Sequence, residues 1–67
     1  MLKKRSFSIA GHRTSIALEP AFWQALEDLA AAEARSLASL IGEIDADRSA
    51  DRPLASMLRE HALRATR

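Results

Sequence analysis

The chain has no cysteine and no tyrosine, only two glycines and two prolines, and three aromatic residues in all. Each scarcity removes a class of function. Without cysteine there are no disulfides and no thiolate metal sites. The two histidines, His12 and His61, stand too far apart in sequence to suggest a metal cage, so no metal site is expected. Two glycines cannot build a phosphate-cradling glycine loop. No nucleophile, base and orienting acid occur at a meaningful spacing, and no cofactor motif is present, so an enzyme is not expected. Glu43, Asp45 and Asp47 read as the charged exterior of a helix. No run approaches the roughly 20 apolar residues that cross a membrane. The apolar stretch after Met1-Leu2-Lys3-Lys4-Arg5 is too short for a signal-peptide core, so a cytoplasmic protein is the expectation.

Acid is missing too, but locally. The first eighteen residues contain no carboxylate side chain, while Lys3, Lys4, Arg5 and Arg13 are all cationic. The acids begin at Glu19, and the formal net charge of the whole is only +1. A cationic front on a near-neutral body points to an anionic partner at one face.

What is present is alternation followed by helical periodicity. Arg13-Thr14-Ser15-Ile16-Ala17-Leu18 alternates with the period of a strand, with Thr14, Ile16 and Leu18 on one side and Arg13, Ser15 and Ala17 on the other. Lys3 to Ala10 reads as another strand, with Phe7 and Ile9 apolar. Gly11-His12 between them suits a type II′ hairpin turn, which sets Ala10 opposite Arg13, Ile9 opposite Thr14 and Phe7 opposite Ile16. The hairpin then has one apolar face and one face of Ser6, Ser8, Ala10, Arg13, Ser15 and Ala17. A basic N-terminal arm is the other reading of residues 1–12.

Glu19-Pro20 opens a first helix, with a stripe of Phe22, Leu26 and Leu29 and with Trp23 at its edge. Ser36 is expected to cap a second, with Leu37, Leu40, Ile41 and Ile44 at helical spacing. Gly42 inside it suits a close crossing. After a polar stretch, Pro53 starts a third helix over roughly 53–65, carrying Leu54, Met57, Leu58, His61 and Ala62 on one stripe. Sixty-seven residues allow one domain. A core this small is marginal alone, so a second copy is the natural way to enlarge it.

The ribbon at Arg13–Leu18, the helix from Pro20 and the Arg35-Ser36-Leu37-Ala38-Ser39-Leu40-Ile41 helix start resemble a ribbon-helix-helix domain. The stretch KRSFSIAGHRTSIALEPAFWQAL is similar to short bacterial members of that family. The resemblance covers nearly the whole chain, with the core domain at residues 13–46. Residues 1–12 form the arm or extra strand, and 47–67 a polar loop and C-terminal helix.

The resemblance implies a mainly α fold with a short β ribbon, assembled as an intertwined obligate homodimer with an intermolecular antiparallel sheet. It implies a cytoplasmic DNA-binding transcription regulator, usually a repressor, needing no cofactor. Base contacts would come from Arg13, Ser15 and Ala17. Phosphate contacts would come from Ser36, Leu37 and Ala38 at the second helix start, with Arg35 beside them, and from Lys3, Lys4 and Arg5. The dimer core would contain Ile16, Leu18, Phe22, Leu26, Leu37, Leu40, Ile41 and Ile44. An alternative is a protein-interaction module, such as an antitoxin or adaptor, that keeps the dimer without reading a groove. The width of a four-stranded sheet, made if each ribbon strand also carries its hairpin partner, favours that alternative.

Overall fold

The computed structural model describes residues 1–48 and 51–66; Ser49, Ala50 and Arg67 lie outside them, and with them part of the expected polar loop and the basic last residue. Strand β1 (Lys3–Ile9) pairs antiparallel with β2 (His12–Leu18), and three helices follow: α1 (Pro20–Ala32), α2 (Leu37–Ala46) and α3 (Leu54–Ala65). The helices all serve one side of the hairpin, with α2 packed under β1 and α3 under β2. A two-layer arrangement of this kind needs a hairpin with one apolar face, and the alternation of both strands supplies it.

The hairpin turn differs from the sequence expectation. Its central residues are Ala10 and Gly11, with φ of 51° and 82°, in place of Gly11 and His12. Positive φ at both positions is the signature of a type I′ turn, whose twist matches that of the flanking strands. The register is accordingly shifted by two residues: Ile9 faces His12, Phe7 faces Thr14, Arg5 faces Ile16 and Lys3 faces Leu18. A shift of two preserves parity, so the two faces are those expected from alternation.

Glu19 precedes α1 in extended conformation, and Pro20 occupies the first turn, where its missing N–H has no helical partner to lose. The helix ends in a Schellman-type reversal: the Arg35 amide donates to the Ala30 carbonyl at 3.0 Å and the Ala34 amide to Ala31 at 3.0 Å. Ala34 takes the left-handed conformation this requires, at φ 54°. Ser36 then caps α2 as expected, its Oγ accepting from the Ser39 amide at 3.0 Å.

The buried line on α1 is Trp23, Leu26 and Ala30. Phe22 and Leu29 are half-buried beside it, so the stripe read from sequence is turned by about one residue. The reason is the ring of Trp23, which reaches under β1 and is only 4% exposed. Leu18, Leu26, Ile41, Ile44 and Leu58 are fully enclosed, and each burial contributes roughly 1.5–3 kcal/mol. The accessible surface of 4388 Å² is close to the roughly 4,200 Å² expected for a compact monomer of this mass. A single chain therefore closes a core, because β1 and α3 cover what a bare strand and two helices would leave open.

Gly42 faces β1, and not another helix. A Cβ added there would meet only Ile9 Cγ2, at 3.8 Å, an ordinary contact. Gly42→Ala should therefore stabilise the fold by up to about 1 kcal/mol through helix propensity, read as a raised urea midpoint at unchanged slope.

Helix α3 is tied to the start of α1 by Arg59, whose Nε donates to Glu19 Oε1 at 3.0 Å and whose guanidinium lies 5.9 Å from the Phe22 ring centroid. A hydrogen bond from backbone N–H at Glu19, and then the Arg59 bond, hold the Glu19 carboxyl below its ordinary range. A depressed pKa means a contribution that is complete above about pH 4.3 and is lost as pH falls through the folded value. Glu19→Gln should lower the denaturation midpoint at neutral pH, and the difference from the unaltered chain should shrink as pH falls through the lowered pKa of Glu19.

Candidate nucleic-acid interface

The hairpin sorts its cations by parity. Lys4, Ser6, Ser8, Arg13, Ser15 and Ala17 share the face turned away from the helices. Across the strands Ser8 faces Arg13, Ser6 faces Ser15 and Lys4 faces Ala17. The Ser6 and Ser15 hydroxyls are 3.1 Å apart, within hydrogen-bond distance. Neither Lys4 nor Arg13 has an acidic partner among the described residues. The face is thus made of hydroxyls and free positive charge, with Ala17 half-buried at one end. It can donate to and accept from polar groups, and it attracts anions.

Arg5 belongs to the opposite face. Its guanidinium lies 5.1 Å from the Trp23 ring centroid and 5.6 Å from that of Phe7, and its Nη1 donates to Glu27 Oε1 at 3.4 Å. Trp23 and Phe7 are themselves in tilted contact at 5.8 Å. The Lys3 carbonyl accepts a 2.8 Å hydrogen bond from Trp23 Nε1. These contacts fasten β1 to α1. Lys3 and Arg5, together with Pro20, Trp23, Gln24 and Glu27, line an open cleft of about 310 Å³ at that junction. The three consecutive cations are therefore separated: Lys4 faces outward, Arg5 is engaged inward, and the Lys3 backbone holds Trp23. The sequence signal for this was present, since Arg5 has the parity of Phe7 and Ile9.

The start of α2 is a second polar region. The amides of Leu37 and Ala38 have no acceptor among the described residues, as expected for the first turn of a helix. Ser36 uses its hydroxyl on Ser39. Arg35 folds over this turn: Nη2 donates to Ser39 Oγ at 2.8 Å and to the Ser39 carbonyl at 3.0 Å, and Nη1 pairs with Glu43 and, at 3.4 Å, with Glu33. The Glu43 hydrogen bond leads the causes that raise the guanidinium pKa further above its ordinary value. Arg35 is thus beside the unpaired amides, with its charge already matched by carboxylates. That pairing joins residues eight apart and was not legible from sequence.

Among the described residues no three histidine or carboxylate groups come together in a way that could hold a metal ion. No helix among them is long and apolar enough to cross a membrane.

A two-stranded antiparallel ribbon, cationic outward and apolar inward, leading into helices whose second member begins on a serine cap, defines a ribbon-helix-helix architecture. The family model described as "Ribbon-helix-helix domain" matches residues 2–66, and the chain belongs to that family. No curated protein and no solved structure matches it. Members of the family are generally DNA-binding regulators or antitoxins, typically dimeric, on a non-enzymatic fold.

If the Trp23 bond fastens the hairpin, Trp23→Phe should destabilise the chain by about 1–3 kcal/mol, because the Lys3 carbonyl loses its donor while the ring is largely retained. Hydrogen exchange should quicken most in β1.

Proposed function

We propose that the protein is a homodimeric, sequence-specific DNA-binding regulator, acting as a transcriptional repressor. The observation that carries this reading is the outward face of the hairpin. Six side chains lie there without a carboxylate among them, and its two cations are unpaired among the described residues.

Arg13 suits bidentate bonding to guanine O6 and N7. Ser15 can donate or accept, and Ala17 can touch a thymine methyl. The Leu37 and Ala38 amides, with the Ser36 cap, offer donors and the positive dipole end to a phosphate. Lys4 adds cationic charge on the outward side, and Lys3 and Arg5 add it at the junction with α1. Arg35 contributes to a phosphate contact only in exchange for its bonds to Glu33 and Glu43. Of the residues expected in a shared dimer core, Ile16, Leu18, Leu26, Leu40, Ile41 and Ile44 are enclosed within one chain, which leaves the half-buried Phe22 and Leu37 as those a second copy would cover.

The experiment is binding to duplex DNA selected from random sequence, at several salt concentrations. Affinity should fall steeply with salt as phosphate contacts release counterions. Arg13→Ala should weaken binding to the selected duplex by about 1–3 kcal/mol and relax one base position. Unchanged binding would remove Arg13 from the interface.

The compensated Arg35 favours a second reading, a protein-interaction module of antitoxin or adaptor type. The free outer edges of a four-stranded dimer sheet, those of β1, would then take up a peptide strand. That reading requires no DNA binding even at low salt, together with a protein partner whose binding is lost when the β1 edge is blocked.

A further inference from the structure

We propose that the cleft between β1 and the start of α1 is a binding site for a small organic monocarboxylate with an apolar body, and that the bound acid weakens binding to DNA. The site stands on its own residues; only its effect on DNA rests on the DNA-binding reading above.

The cleft is built where three consecutive cations diverge. Lys4 turns to the outward face of the hairpin. Lys3 and Arg5, of the other parity, line an opening of about 310 Å³ with Pro20, Trp23, Gln24 and Glu27. That volume is at the small end of the roughly 300–1,000 Å³ of ligand pockets. Two of the charged lining groups are cations and one is an acid, so one positive charge is in excess. The Lys3 ammonium has no acidic partner among the described residues. A guanidinium carries five N–H donors. That of Arg5 engages one acceptor among the described residues, Glu27 Oε1, at a long 3.4 Å. Its position is set by two rings, with centroids 5.1 Å away at Trp23 and 5.6 Å away at Phe7. A cationic fork with unused donors is thus held in place beside a free ammonium.

The ligand class follows from this balance. A carboxylate is planar, carries one charge and bonds an arginine fork side by side. A dianion would exceed the charge available and be repelled by Glu27. Pro20 and the indole of Trp23 offer apolar wall to the remainder of the acid. Once bound, the acid neutralises Lys3 and Arg5, the two cations that the DNA reading places at this junction for phosphate. Acid and duplex then oppose each other, each lowering the affinity for the other by the same factor.

The test uses sodium benzoate on the full chain, with benzamide as its uncharged counterpart. The readout is the indole N–H signal of Trp23, the one tryptophan, in a proton–nitrogen correlation spectrum. Benzoate should shift that signal saturably, and benzamide should not. Lys3→Met keeps the backbone carbonyl that holds the indole and should weaken benzoate binding roughly three- to fivefold. Glu27→Gln should strengthen it, because Arg5 loses a competing acceptor. Lys4→Met removes the same charge one residue along, on the outward face, and should leave benzoate binding unchanged. Circular dichroism checks that each variant is folded. No saturable shift, or an equal loss in Lys3→Met and Lys4→Met, overturns the site. Affinity for a selected duplex is then compared in sodium benzoate and in sodium chloride at equal concentration. It should be lower in benzoate, and equal affinity overturns the effect on DNA while the site stands. If the chain binds no duplex in either salt, the DNA reading fails and that effect with it, and the indole signal still decides the site.

Discussion

The structure depends on the parity of the hairpin. In a strand, neighbouring side chains must point to opposite faces, and here two strands of seven residues obey this together. One face therefore gathers Phe7, Ile9, Thr14, Ile16 and Leu18, and the helices have an apolar surface to cover. The other face gathers the hydroxyls and two of the cations because it has no other place for them. The core and the polar outward face are two consequences of one geometric rule. A change that altered parity in either strand would exchange their contents, bringing Arg13 and the serines inward and Ile16 out.

The same rule explains why so much could be read from the sequence. Alternation identified both faces, the serine cap and helical spacing identified α2, and Pro53 marked the beginning of α3. Register was not available in the same way. A slip of two residues leaves every side chain on its proper face, so the apolar pattern cannot distinguish Ile9 opposite Thr14 from Ile9 opposite His12. The turn could have decided it, but Gly11 fits either position of a two-residue turn. The deciding fact was an alanine accepting positive φ at position 10, which residue type alone disfavours.

The polar part of the surface was legible by position and not by partner. Lys3, Lys4 and Arg5 look alike as a run of charge, yet the fold gives the three different tasks. Arg35 next to the start of α2 has the right charge for a phosphate, but its carboxylate neighbours are fixed by how the helix corner folds back. Long-range pairs such as Arg59 with Glu19, forty residues apart, have no local signature. Trp23 was similarly ambiguous. Phe22 and Trp23 lie on either side of the apolar boundary of α1, and only the position of β1 decides which ring goes inside.

Trp23 has one further consequence. It is the only indole in the chain, and it sits at the junction between the hairpin and α1, bonded to the Lys3 carbonyl and stacked with Arg5. Its emission therefore comes from one place, where it contacts β1. The protein carries an intrinsic optical reporter at the junction behind the outward face of the hairpin. Motions of the ribbon during association could be followed in unlabelled protein, with no dye placed on the surface under study.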